Sequence, residues 1–371
     1  MRGHAEVAGG GFAGLTVAIA LVQRGWTVRV HERSSGAQAD GAGIFLWENG
    51  LRALRALGLE LTELVGAHEA SYWEERDETG RLIGRRELPL PRGIRMVTLA
   101  RRDLHRALID VAREAVVSVL TNSAAVGADP DGTLLLANGE SLGADVVIGA
   151  DGIHSAVRDS LGLLDRHELF EPYRIFRFLT SLDRAPGRDG EWRNYVDHWN
   201  LAAHRRVLYV PCNERDLYLM LAARADDAEA VSQPLSAEVW CESFPRLEPV
   251  LAELPKRPHV DRYEAARVRR WSSGRVAIVG DAAHAMPPTI GQGAGTAMIN
   301  AVSLASALSS CERVEDALAE WEAAERPETE VTQRASIDRL ETLFPRPGER
   351  RDSWEARPLR AAGRAVAPSN P

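Results

Sequence analysis

Residues 5–33 read AEVAGGGFAGLTVAIALVQRGWTVRVHER. A short apolar run enters a glycine turn. Leu15, Ala18, Ile19 and Val22 then recur at the helical period, and Gly25 stands where a helix ends before a second strand-like run. The pattern is strand, turn, helix, strand, the opening of a βαβ unit. Gly9, Gly11 and Gly14 spell G-x-G-x-x-G at the turn. The first glycine permits the tight turn, the second lets a pyrophosphate approach the backbone, and the third lets helix and strand pack closely. The helix start then faces the phosphate charge. Glu32 closes the second strand 23 residues after Gly9, where a carboxylate accepts the ribose hydroxyls. With Phe12, Ala13 and Arg33 beside them, these residues form the first half of a dinucleotide site. The motif alone does not separate FAD from NAD.

Outward from this unit, NGLRALRALGL predicts a second helix ended by Gly58, and residues 99–115 a third. From Ser71 to Val97 and from 166 to 269 the chain reads as many short strands, among them RRVLYVPC and DLYLMLAA. Asn138-Gly139 marks a tight hairpin turn. RVAIVG, residues 275–280, is a buried strand leading into a glycine-rich loop and a helix from about Gly295 to Ser309. The expected fold is α/β: a Rossmann-like unit built from residues 1–70, 98–165 and 270–344, with a β-sheet substrate unit from 71–97 and 166–269 inserted in it. A C-terminal helical segment follows, and then an Arg-, Pro- and Ala-rich tail, 345–371.

Composition narrows the function. The chain has 371 residues and a formal net charge of -8, so no global basic field invites nucleic acid. Cys212, Cys241 and Cys311 have no C-x-x-C spacing, which argues against zinc and dithiol chemistry and suits a reducing cytoplasm. No metal site is expected, and His105, His154 and His284 read as structural. No run of 18 apolar residues is present and the N-terminus enters a strand almost at once, so neither a membrane span nor a signal peptide is expected.

Two further stretches carry chemistry. GDAAHAMPPTIGQGAG, residues 280–295, follows the buried strand and precedes a helix, a second anion-binding loop. ADVVIGADGIHSAVR, residues 144–158, carries Asp151, Gly152 and Arg158. Together with LARRDLHRAL these resemble the FAD-dependent aromatic hydroxylases of the para-hydroxybenzoate hydroxylase type, over nearly the whole chain to about residue 330. The stretches GAGIFLWENGLR, VLYVPCNERDLYL and FPRLEP sharpen the likeness toward the branch that oxygenates hydroxypyridine carboxylates and opens the ring.

That resemblance implies bound FAD held by Gly43, Arg101, Asp151, Gly152, Gly280, Asp281, Gly291, Gly293, Ala294 and Gly295 in addition to the first motif. It implies NADH or NADPH as a transient reductant, and O2-derived oxygen delivered from a flavin C4a-hydroperoxide to a small hydroxylated aromatic or N-heteroaromatic acid. A simple ring hydroxylase is the alternative, and a flavin-free dehydrogenase or a non-catalytic flavin binder a weaker one. The resemblance assigns Arg206, Tyr218 and Pro288 to the reacting centre and adds Tyr72 and Trp73 to the substrate pocket. Trp73 stands where that branch carries Tyr. From spacing alone, Arg206 and Tyr218 read rather as a solvent-facing strand Arg and a core Tyr, and the resemblance reverses that reading. Monomer and homo-oligomer both stay open.

Overall fold

The computed structural model describes residues 2–36, 42–64, 66–185, 187, 190–256 and 258–341; the tail 345–371 lies outside them. The N-terminal strand, His4–Ala8, stands inside a sheet ordered Ser272–Ser273, Val276–Ile278, Val146–Gly149, His4–Ala8, Thr27–His31, Ser118–Leu120. All neighbours are parallel except the first pair. Ala8 is in register with Gly149 and His31, and Gly149 with Ile278. The glycine turn, the Glu32 segment, the Asp151 loop and the Gly280-Asp281 loop therefore leave the sheet side by side at its carboxyl edge, where open α/β sheets bind ligands.

The helix Phe12–Val22 follows the first turn, and every residue from Ala13 to Leu21 is buried. The sequence shows one apolar stripe, yet the helix is covered on more than one side. The sheet lies against it, and the helices Arg101–Glu114 and Gly293–Ser310 pack over it. Its close seating depends on missing side chains. A Cβ on Gly14 would lie 1.9 Å from the Gly9 carbonyl oxygen, and one on Gly9, at φ +103°, would lie 2.3 Å from that of Ala150.

The second sheet has seven strands, in the order His259–Val268, Leu164–Ser181, Asp216–Arg224, Arg205–Pro211, Tyr195–Asn200, Tyr72–Asp77, Leu82–Glu87. Where the sequence reads as several short strands after residue 166, the chain forms one strand of 18 residues. Its register shifts between Phe170 and Ile175, around Pro172, and a proline at a bulge disguises a continuous strand. Side chains alternate as expected. Tyr218, Met220 and Ala222 pack with Tyr195, Trp199 and Leu208, while Leu217, Leu219 and Leu221 face Trp240, Phe244 and Leu247 on the other side. The first of these faces looks toward a two-stranded ribbon, Gly43–Trp47 paired with Met96–Ala100.

Asn138-Gly139 joins Thr133–Leu136 to Ser141–Gly143 as a hairpin. The expected C-terminal helical segment is the helix Val314–Glu341, 28 residues long. Among the described residues no helix is long and apolar enough to cross a membrane. The packing at the first turn makes Gly14→Ala a test of the fold's weakest tolerance. The added methyl should cost about 1–3 kcal/mol as overpacking, read as a lowered denaturant midpoint. A wild-type midpoint would show that the helix can retreat without loss.

Candidate active site

The first turn and its neighbours line a groove between Gly10–Phe12, Glu32, Ser34, Arg101 and His105. Gly11 is exposed there, and a Cβ on it would meet nothing within 4 Å, so the backbone is open to a ligand. Glu32 accepts hydrogen bonds from the Gly10 and Ser34 amides at 2.8 and 2.9 Å and from the Ser34 hydroxyl at 2.8 Å. Burial opposes its ionisation, but these donors outweigh it and hold the carboxyl below the usual range. His105 caps the turn through a 2.8 Å contact to the Gly10 carbonyl. Arg33 is exposed beside the groove.

At the other end stand Arg101 and Asp281. Asp281 is accessible to solvent yet has protein around it on most sides, as on the floor of a cleft. That surrounding mass raises its carboxyl, and Arg101 opposes the rise. The guanidinium of Arg101 is lowered first by burial and then by Arg177 nearby, with Asp281 and Asp261 acting against. It stands 5.0 Å from the Phe12 ring centroid. Among the described residues its guanidinium has no hydrogen bond or ion pair. A cation lining the groove with its donors unused among the described residues, and an exposed carboxylate near enough to act on it, suit the phosphates and hydroxyls of a dinucleotide. The donor set fits FAD.

Asp151 is tied down locally, accepting from the Ser155 hydroxyl and, at 3.2 Å, from the Val157 amide. Arg158 links the two loops by donating to the carbonyls of Ile153 at 2.7 Å and Ala282 at 3.5 Å. Gly152 is half-buried in the same loop. Gly280 leads into the short helix Asp281–His284, and Gly293 and Ala294 open the helix Gly293–Ser310. Gly295 answers to packing: its Cβ would lie 2.6 Å from Asn49 Oδ1. His284 is buried with its Nε2 3.3 Å from the Asn300 amide nitrogen, in keeping with a structural part.

Beyond this cleft lies a cavity between the seven-stranded sheet, the ribbon and the loop Pro288–Gly291. Trp73, Arg206 and Pro288 line it together, joined by Phe45, Trp47 and Tyr263. Glu75, Asp197 and Arg339 add charge to its wall. Arg206 is not a free cation. Its Nε and Nη2 donate to Asp197 at 2.7 and 2.8 Å, and its Cζ lies 4.6 Å from the Trp199 ring centroid. Burial works against its charge, but Asp197 more than compensates and raises the guanidinium above its ordinary value.

Two expected pocket residues stand elsewhere. Tyr72 neighbours Trp73 on one strand, so it points to the opposite face, where the Arg85 guanidinium lies 3.5 Å from its ring centroid. Tyr218 shares the face of Arg206, whose cross-strand partner is Ala222, yet it does not line the cavity. Gly43 presses on it instead, since a Cβ there would lie 2.6 Å from the Tyr218 Cβ. Burial pushes the Tyr218 hydroxyl up to about 12, opposed by Arg177, which also hydrogen-bonds to it. Asp197, Glu75, Tyr263 and Arg177 carry no local motif. Asp197 becomes visible only through the strand pairing that sets Trp199 opposite Arg206.

The loop that closes the cavity is held by the helix Val314–Glu341. Gln333 Nε2 donates to the carbonyls of Ala266 and Ala285 at 2.8 and 2.9 Å. Thr289 Oγ1 donates to the Ser336 carbonyl at 2.6 Å, and Ser336 Oγ donates to the Pro287 carbonyl.

In sequence and fold the chain matches known proteins over most of its length. The FAD binding domain family matches residues 4–335. The chain belongs to this family, among FAD-dependent aromatic monooxygenases. It is 44% identical over 338 residues to 2-heptyl-3-hydroxy-4(1H)-quinolone synthase of Mycobacteroides abscessus, covering 90% of this chain and 89% of that one. The solved tetrameric form of 2-methyl-3-hydroxypyridine-5-carboxylic acid oxygenase is similar at a TM-score of 0.89 and 43% identity, over 97% of this chain and 95% of that one. The Klebsiella pneumoniae protein HpxO, solved with FAD and uric acid, is similar at a TM-score of 0.79 and 25% identity, over 98% and 93% of the two chains.

FAD is therefore the cofactor, and the expectation that Glu32 holds its ribose can be tested directly. Glu32→Ala should weaken FAD by about 1.5–3 kcal/mol, the scale of hydrogen bonds to a charged group. Fluorescence titration of the apoprotein measures this. An unchanged dissociation constant would remove Glu32 from the ribose site.

Proposed function

We propose that the chain is an NAD(P)H-consuming oxygenase of a small oxygen-bearing N-heteroaromatic ring, and that the ring it takes is uncharged. The observation that carries the reading is the engagement of Arg206 by Asp197. Arg is suited to a carboxylate because its fork can be offered whole. Here two of its donors are already bound to a buried carboxylate within the same cavity. A substrate carboxylate would have to displace Asp197 or sit beside it, and buried like charges repel strongly. A neutral ring oxygen needs only the remaining Nη1. The aromatic wall of Phe45, Trp47 and Trp73, continued by Leu208, Met220 and Ile290, suits a flat ring with an apolar substituent. The 44% identical quinolone synthase is named for forming a 3-hydroxy-4-quinolone that carries a heptyl chain and no carboxylate, which supports this reading over a hydroxypyridine carboxylate.

In this reading residues 1–70, 98–165 and 270–344 hold FAD, and 71–97 with 166–269 cover the substrate. Glu32 and Asp281 bind the sugar and ribityl hydroxyls, and the amides of Gly11 and of the Gly291–Gly295 turn face the phosphates and flavin. Once reduced by NADH or NADPH, FAD supplies the activation of O2. The chain's own residues position the ring. Arg206 donates to the ring oxygen, Asp197 or Glu75 accepts a ring N–H, and the Pro288–Gly291 backbone forms the wall toward the flavin. The aromatic wall excludes water, which protects the reactive oxygen from loss. Tyr218 stands behind this wall and steadies Gly43 and Arg177.

The experiment is a panel of 4-quinolones with alkyl substituents, hydroxypyridine carboxylates and hydroxybenzoates, scored by NADH consumption and product mass under labelled O2. Neutral quinolone-type rings should be turned over best and gain one oxygen atom. Preferred turnover of a carboxylate with two atoms retained would replace this reading with the ring-opening one. Asp197→Asn frees the Arg206 fork, so it should move the kcat/KM ratio toward carboxylate-bearing rings by about tenfold or more, on the order of 1.4 kcal/mol. An unmoved ratio would mean that the pair does not set selectivity.

A further inference from the structure

We propose that His154, His167 and Glu264 form a binding site for a divalent transition-metal ion of the zinc class. None of the three lines the cavity, and none takes part in the function above. His154 belongs to the loop that follows the strand Val146–Gly149 and carries Asp151 and Gly152. His167 and Glu264 lie on the paired strands Leu164–Ser181 and His259–Val268, where His167 faces Ala266 and Leu169 faces Glu264. The two are therefore diagonal neighbours on one face of the sheet. The sequence hides this set, because Glu264 is 97 residues from His167 and no ligand spacing links them.

The ligand atoms already converge. His167 Nε2 lies 2.7 Å from Glu264 Oε2, and His154 Nε2 lies 3.9 Å from the same oxygen. All three candidate ligand atoms fall within 4.8 Å of one another. Zinc bonds of about 2.0–2.2 Å in a tetrahedron separate ligand atoms by roughly 3.3–3.5 Å. The observed separations bracket that value, so His167 must withdraw slightly and His154 must approach. Both can, because their side chains are 37% and 70% exposed, while Glu264, at 16%, is the fixed member. The two rings stand edge to face, with centroids 5.6 Å apart, so they need not stack face to face.

The surrounding charge is permissive. Among the described residues the ion-pair partners of Glu264 are these two imidazoles. The nearby cations Arg166 and Arg267 are turned to Glu168, at 3.2 and 2.9 Å, on the other side of the strand. Two imidazoles and one carboxylate suit zinc, nickel or copper better than magnesium or calcium, which prefer all-oxygen shells. Three protein ligands leave the fourth position to water. An ion bound here would clip the Asp151 loop to the edge of the seven-stranded sheet.

The test uses the FAD-loaded full chain, titrated calorimetrically with zinc chloride alone at neutral pH, alongside His167→Ala and Glu264→Gln. The wild type should bind one ion per chain at this site, with a thermal-unfolding midpoint that rises on zinc addition. Each variant should lose at least about tenfold in affinity, together with most of the zinc-dependent rise, while keeping its FAD and its metal-free turnover. Magnesium chloride should give neither response. Wild-type and variant titrations that coincide, or a response to magnesium equal to that of zinc, would overturn the proposal.

Discussion

The approach of Gly14 to the Gly9 carbonyl is the contact on which the rest of the molecule hangs. It brings the first helix close enough to the sheet for nine successive residues to be buried from several sides. It also leaves the first backbone amides of that helix facing a groove. The Ala8 register with Gly149 and His31 then fixes where the other loops emerge. Side-chain bulk at the turn would push the helix outward and carry its first amides away from the groove. A purely steric requirement thus precedes all the polar chemistry of the cleft.

The cofactor half of the protein was readable because its determinants are local. The glycine turn, Glu32 and the Gly280-Asp281 loop each place their chemistry within a few residues of a strand end, and parallel strand ends meet by topology. The substrate half was less readable because its determinants are paired across strands. Arg206 could be placed at the cavity through the family resemblance and not through its spacing. Its ion pair with Asp197 was not readable, since that contact exists only once Tyr195–Asn200 lies beside Arg205–Pro211. Tyr72 and Trp73 show a parity error: two neighbours on a strand cannot face the same cavity. Gly43, expected at the cofactor, also packs on Tyr218, and no local pattern announces a contact between residues so distant in sequence. The strand Leu164–Ser181 was hidden by Pro172, whose bulge reads as a turn.

Charge in the two halves is handled in opposite ways. In the cleft, Arg101 and Asp281 influence each other, and among the described residues the Arg101 guanidinium has no hydrogen bond or ion pair, which leaves its donors open to a polar occupant. In the cavity, Arg206 and Asp197 complete each other in advance. The first arrangement rewards a polar, charged occupant. The second offers direction, a donor beside an acceptor, at little net charge. A ring bound there, as proposed, would be held by shape and by the orientation of its heteroatoms.

The straps from Gln333 and Ser336 to the loop after the Gly-Asp motif give the C-terminal helix an unexpected authority. That loop supplies Pro288, Thr289, Ile290 and Gly291 to the cavity wall. Its backbone position is set from behind, by side chains that do not line the cavity. Substrate range can therefore drift during evolution through exchanges on a helix remote from every recognisable motif, while the flavin signature stays letter-perfect. Chains of this kind with matching fingerprints need not share a substrate.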